Sequence, residues 1–312
     1  LVIKPDFSSP FCQAYYNETI SVTYQGADVY YVDICSNVPA HIAWLDFFQK
    51  EQTLLPFTTF DQWLTTNELA NVSASNLINP RFPQQTFELT SIYDLNMSIN
   101  NLDNVSFLNG VTTIRNNLQL QDNNIVDFTG LDTLVSINDL NVSNNDMVEF
   151  SPQALSSMNN FEISNNSLLE TISLPNLANL TGNLIIENNP LLNTLENPLL
   201  NTIGGNVSID TTSLSNMNIN GIDFQGSLSI QNNTGLTNFQ QDSISSIGLD
   251  YTLNNNAFTN AIIGSTGSLG RSLIITNNSG LNDVTINTIP SLGRHLQIDN
   301  NPDLTNIYID DI

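Results

Sequence analysis

Residues 181–210 read TGNLIIENNPLLNTLENPLLNTIGGNVSID. Leu184 and Ile186 are followed by Asn189, and Val207 and Ile209 repeat the apolar pair 23 positions on. The unit apolar-x-apolar-x-x-Asn recurs from Leu95 to the last residues. It stands at Leu95/Met97/Asn100, Leu118/Leu120/Asn123, Leu140/Val142/Asn145, Phe161/Ile163/Asn166 and Leu184/Ile186/Asn189. It continues at Val207/Ile209/Thr212, Leu228/Ile230/Asn233, Tyr251/Leu253/Asn256, Leu273/Ile275/Asn278 and Leu296/Ile298/Asn301. The second apolar position advances by 21 to 23 residues, with a mean near 22.3. A fixed period of this length is the mark of a repeat architecture.

Side chains at i and i+2 of a strand point to one face, so each apolar pair faces inward. A second inward set is expected at Leu102, Ile125, Met147, Leu168, Leu191, Leu214, Leu236, Phe258, Leu281 and Leu304. A third is expected at Val105, Phe128, Phe150, Ile172, Leu195, Met217, Phe239, Ile262, Val284 and Ile307. One coil cannot hide these groups, but stacked coils make a continuous core. Asparagine suits the corner because it tolerates left-handed backbone and its amide can bond neighbouring coils as a ladder. Thr212 interrupts that column, and a locally different corner is expected there. The segments between strands are rich in Asn, Gly, Pro and Thr, so the return paths are read as short strands, turns and isolated helical turns. The expected fold is all-β: a solenoid of about ten coils over residues 91–312, behind a small α+β cap over residues 1–90.

The recurring NN-x₁₋₂-L-x₂-I … L-x₂-I-x-G-x-L-x-I-x-N-N, as in Asn188–Asn189 to Ile209 and Gly226 to Phe239, resembles the receptor L-domain type of leucine-rich repeat. The resemblance covers roughly residues 88–312. It implies an extracellular, glycosylated, non-catalytic protein of the kind found in receptor ectodomains and on fungal and microbial cell surfaces. The cysteine-rich modules that separate L domains in receptors are absent from this sequence.

Residues 1–90 break the pattern and hold both Trp (Trp44, Trp63), both Cys and five of the eight Tyr. Strands are expected near Ile20–Tyr24 and Val29–Ile34, and helices near Ala40–Lys50 and Thr59–Leu69. Shielding the first coil is the natural task of such a region. A sugar-stacking surface of Trp44, Trp63, Tyr15, Tyr16, Tyr30 and Tyr31 is the functional alternative. Cys12 and Cys35 lack metal-ligand spacing and are read as a structural disulfide, which fits an oxidising compartment.

Thirty acidic against six basic side chains give a net charge of −24, which argues against nucleic acid and anionic membrane faces. No apolar run reaches the roughly 18–20 residues of a membrane span. The chain starts at Leu1, and is read as a mature secreted chain whose signal peptide has been removed. Ten N-x-S/T sequons support that reading: Asn17, Asn71, Asn96, Asn104, Asn141, Asn165, Asn179, Asn206, Asn232 and Asn277.

Only two histidines occur, His41 and His295, far apart in sequence, and no G-x-S-x-G elbow is present. Acids fall at irregular coil positions, so neither a triad nor paired carboxylates is expected, and the chain is read as no enzyme. No cofactor is expected. Asp122-Asn123-Asn124, Asn144-Asn145-Asp146 and Asp299-Asn300-Asn301 offer hard oxygen donors that calcium could use, although the corner ladder explains them equally. The final NPDLTNIYIDDI stops within a coil, leaving an apolar edge on which another chain could stack. The expected function is a structural wall, glycocalyx or fibre component that self-associates through its coil ends. A recognition ectodomain for a protein or polysaccharide is the alternative.

Overall fold

The computed structural model describes residues 94–312 except Asn216, the side chain of Phe107 also being excluded, and the backbone of four earlier strands. The fold is an all-β parallel solenoid of about nine turns. Among the described residues there is no α-helix, and no helix long and apolar enough to cross a membrane. Two compact units are distinguished, dividing near residues 147–156.

In the first unit, Tyr16–Tyr24 and Asp28–Cys35 form an antiparallel hairpin, at the positions where two strands are expected. Leu69–Ser75 pairs antiparallel with Tyr16–Tyr24 and parallel with Asp94–Asn96, Val72 lying beside Leu95. The parallel stack therefore begins one coil before the first Asn-marked repeat. The sequence hides this coil because Val72 and Ala74 are followed by Leu77 where the corner Asn would stand. The stack continues through Thr113–Gln119 and Ser136–Asn141, with Leu95, Leu118 and Leu140 in one column. Short 3₁₀ turns at Ser106–Leu108 and Thr129–Leu131 form part of the return path. The expected helices at 40–50 and 59–69, Cys12, and the side chains of Cys35, Asn17, Asn71, Trp44 and Trp63 lie outside the described residues.

In the second unit each coil contributes one strand to a main parallel sheet. Asn160–Ser164, Leu184–Asn189, Val207–Thr212, Leu228–Gln231, Tyr251–Asn254, Leu273–Thr276 and Leu296–Asp299 follow in register. Two-residue strands precede five of these, from Ser157–Met158 to Ser246–Ile247. The far side closes with Glu149–Phe150, Thr171–Ser173 and Thr194–Glu196, then Asn238–Ile244, Asn260–Thr266, Asp283–Thr288 and Asn306–Asp311. Glycine marks the corner before the main strand because coils touch there. A Cβ on Gly270 would lie 1.9 Å from the Gly248 carbonyl oxygen, and one on Gly293 would lie 2.0 Å from that of Gly270.

The inward pairs fill the core: Leu118, Leu120, Ile163, Ile186, Ile230 and Leu253 are fully buried. The expected inward positions Leu168, Leu191 and Ile262 are corrected, Ile307 in the last coil is 48% exposed, and Leu195 and Leu304 are only half-buried. Leu168 and Leu191 are 45% and 46% exposed, while Leu169 and Leu192, one residue on, are fully buried. After Asn166 and Asn189 the chain spends one extra residue in the turn, as it does in Asn233-Thr234-Gly235-Leu236. Ile262 is only half-buried, because Ala261 lies beside Phe239 and Val284 and takes the inward place together with Ile263. Alternation along a strand then turns Ile262 outward.

Candidate functional site

The features repeated in every coil are its corner and the outward face of the main strand. The corner divides two tasks between consecutive residues. Asp122, Asn144, Asn165, Asn188, Thr211, Asn232, Asn255, Asn277 and Asn300 hold left-handed φ values of 51–60°. The residue after each, from Asn123 to Asn301, turns its side chain inward as the ladder. Sequence reasoning gives both tasks to one Asn; the paired Asn-Asn is the signal that they are separate.

In the first unit Asn123 Oδ1 accepts from the Asn100 N–H at 2.8 Å, and Asn123 Nδ2 donates to the Met97 carbonyl at 3.0 Å. Asn145 donates to the Leu120 carbonyl at 3.1 Å. In the second unit the Asn166, Asn233, Asn256 and Asn278 N–H groups donate to the next ladder oxygen, on Asn189, Asn256, Asn278 and Asn301, at 2.9–3.1 Å. The Nδ2 atoms of Asn189, Asn233, Asn256, Asn278 and Asn301 donate back to carbonyls of the preceding coil. Every such bond satisfies a backbone group that the turn leaves without a partner. At the odd coil, Thr211 keeps the same left-handed backbone, with φ 52°. Thr212 keeps the step to Asn233, its N–H and Oγ1 donating to Asn233 Oδ1 at 3.1 and 2.7 Å. The backbone corner is thus retained where a different one is expected, and the change is confined to the side chain.

A second, shallower ladder starts each main strand and is not anticipated from the sequence. Asn160 Oδ1 accepts from the Asn183 N–H, Asn183 from Asn206, and Asn206 from Ser227, at 2.7–2.9 Å. Asp250 takes the same role for the Ser272 N–H at 3.1 Å and pairs with Arg271 at 3.3 Å. Its signal was available: an Asn, Asp or Ser stands immediately before the first apolar residue of most repeats.

The outward strand face carries short polar side chains bonded along the stack. Ser208 Oγ donates to Glu187 Oε1 at 2.6 Å, Asn232 Nδ2 to Asp210 Oδ1 at 2.8 Å, and Asn254 Nδ2 to Gln231 Oε1 at 3.2 Å. The described phenylalanine rings are inside: Phe150 and Phe161 stand 5.4 Å apart, Phe239 and Phe258 5.8 Å. Tyr251 is also buried, its hydroxyl has no partner among the described residues, and burial pushes its phenol above the ordinary tyrosine range. Tyr308 is 58% exposed.

The sequon asparagines are spread over these surfaces. Asn165, Asn179, Asn206 and Asn277 are exposed, whereas Asn96, Asn104, Asn141 and Asn232 are half-buried. The Nδ2 groups of Asn104, Asn232 and Asn277 donate to Asp103, Asp210 and Asn254. The corner triplets weighed for calcium spend their inner amides on the ladder: Asn123, Asn145 and Asn301 all bond backbone carbonyls. Asp122 accepts from Asn144 Nδ2 at 2.7 Å. Among the described residues no three His, Cys, Asp or Glu side chains gather as a metal site. His295 Nε2 lies 3.5 Å from Ser272 Oγ, but Ser272 is 2% exposed, so this contact closes a seam between coils. His41 lies outside the described residues.

No protein-family model, no curated protein and no solved structure matches the chain.

Proposed function

We propose that this chain is a non-catalytic structural component of an extracellular or cell-surface layer, a glycosylated solenoid that assembles with further copies of itself. The observation that carries this reading is the coil of Leu296–Asp299 and Asn306–Asp311. Asn306–Asp311 keeps parallel register with Asp283–Thr288, Val284 lying beside Ile307 and Ile286 beside Ile309. Val284 and Ile286 are fully buried, yet Ile307 and Ile309 are 48% and 45% exposed and Tyr308 58%. Ile307 and Ile309 are thus patterned for a core and remain exposed on this strand. The surface that fits a strand of this period and register is another coil of the same repeat, and every copy of this chain carries such coils.

The exposed sequons and the Asn/Ser/Thr outward face support a surface setting, and the sequence pattern supports secretion. A recognition ectodomain that stacks sugars would present aromatic rings on a solenoid face, and the described Phe and Tyr side chains favour the structural reading, lying in the core apart from Tyr308. The test is light scattering and negative-stain microscopy of the full chain over a rising concentration series. Concentration-dependent oligomers or fibres that Ile309→Asp disperses are expected. A monodisperse monomer throughout the series would overturn the proposal.

A further inference from the structure

We infer that Asn109-Gly110 is a self-modification site, at which the asparagine amide converts to aspartate and isoaspartate with water as the sole co-reactant. Two Asn-Gly pairs occur among the described residues, Asn109-Gly110 and Asn220-Gly221, and all four residues are exposed. Their surroundings differ. Asn109 (φ −55°, ψ 125°) and Gly110 (φ 92°) are the central residues of a type II turn closed by the Val111 N–H donating to the Leu108 carbonyl at 2.9 Å. The Asn109 side-chain amide has no hydrogen bond to any described residue, and the space beside the Gly110 Cα is open. The Gly110 N–H is held by one contact, to Thr133 Oγ1 at 3.0 Å.

Asn220 is clamped. Its Oδ1 accepts from the Asp242 and Ser243 N–H groups at 2.8 and 3.3 Å, and its Nδ2 donates to Asp242 Oδ2 at 3.4 Å. The Gly221 N–H donates to the Ser243 carbonyl at 2.8 Å, and the Gly221 carbonyl accepts from Ser245 Oγ at 2.8 Å.

In the reaction the Gly110 nitrogen loses its proton to solvent base and attacks Asn109 Cγ. The new C–N bond closes a five-membered imide as the Cγ–Nδ2 bond breaks and ammonia leaves. Water then opens the ring at either carbonyl, giving an aspartyl or isoaspartyl link without any redox change. Glycine permits this because no Cβ crowds the attacking nitrogen and the backbone can rotate into the ring geometry. At Asn109 the amide is free to swing; at Asn220 it must first give up its hydrogen bonds, each worth up to about tenfold in rate. The product places a new negative charge on the turn, and the isoaspartyl form adds a carbon to the backbone beside buried Val111.

The experiment is peptide mapping of the full chain aged in mildly alkaline buffer, native and in urea. Conversion at Asn109 should outrun that at Asn220 by at least about tenfold in the native chain, with the two equal in urea. An Asn109→Gln chain, whose longer amide disfavours the five-membered ring, should remain unmodified at that position. Equal native rates at the two pairs, or an Asn109 that stays intact natively yet converts in urea, would overturn the assignment.

Discussion

Asn256→Leu tests whether the ladder holds coils together or only decorates a packed core. Asn256 Oδ1 accepts from both the backbone N–H and the Nδ2 of Asn233, each at 3.1 Å, and its own Nδ2 donates to the Ile230 carbonyl at 2.9 Å. Asn256 is 3% exposed and Asn233 fully buried, so water cannot replace the lost partners without opening the stack. Leaving three buried polar groups unsatisfied costs roughly 3–9 kcal/mol, and burying leucine returns about 2–3 kcal/mol. A net local loss of roughly 0–7 kcal/mol follows, with a midpoint of about 3.5 kcal/mol. Because coils contact chiefly their neighbours, that loss should be local. Hydrogen exchange of Leu228–Gln231 and Tyr251–Asn254 should accelerate by about thirtyfold or more, with Thr113–Gln119 unchanged. Asn301→Leu, at a partly exposed rung, should cost about 1 kcal/mol, since water can take over its partners. Wild-type exchange in Asn256→Leu, or an equal loss at both sites, would refute the ladder's energetic role.

Tyr251→Phe removes a buried hydroxyl that has no partner among the described residues, and should raise stability by about 1–3 kcal/mol near neutral pH in urea unfolding followed by far-ultraviolet circular dichroism. Its phenol is pushed up in the folded state, so the folded chain keeps a proton that the unfolded chain releases above about pH 10. Wild-type stability should therefore fall as pH rises through that value, and the advantage of the variant should widen by up to about 1.4 kcal/mol per pH unit; a destabilised variant would contradict this. Asp299, Asp303, Asp310 and Asp311 surround the exposed coil, so self-association should strengthen as salt shortens the screening length from about 30 Å at 0.01 M to about 3 Å at 1 M. Scattering that falls with added salt would instead mark a contact between opposite charges. Chain made in a eukaryotic secretory host should carry more glycan at exposed Asn165, Asn179 and Asn206 than at Asn104 and Asn232, whose Nδ2 atoms are engaged by Asp103 and Asp210. Glycopeptide mass spectrometry decides this, and full occupancy of Asn232 would refute it.

Period and polarity are local properties, and they were legible in full. An apolar pair every 21–23 residues with a polar residue between its members defines a strand with one buried face, and a return of that length defines a stacked coil. The ladder was legible for the same reason, since a buried corner that must satisfy backbone groups selects a side chain with both a donor and an acceptor. The candidate surface was legible only as composition: sequons and neutral polar residues were visible, but not which of them the stack would bury.

Tertiary structure decided every choice between adjacent residues of like chemistry. Leu168 and Leu169 are equally apolar, and only the turn length set by the neighbouring coils buries the second of them. Ile262 is more apolar than Ala261, yet the register beside Phe239 and Val284 turns the smaller residue inward. Of two consecutive asparagines, the left-handed backbone takes one and the ladder the other, a division no single-residue preference contains. The two Asn-Gly pairs are identical as dipeptides, and only the strand residues Asp242 and Ser243, folded over one of them, distinguish a clamped amide from a free one. The repeat itself is written in side-chain chemistry at fixed spacing, whereas burial at single-residue resolution depends on which atoms of the next coil arrive opposite.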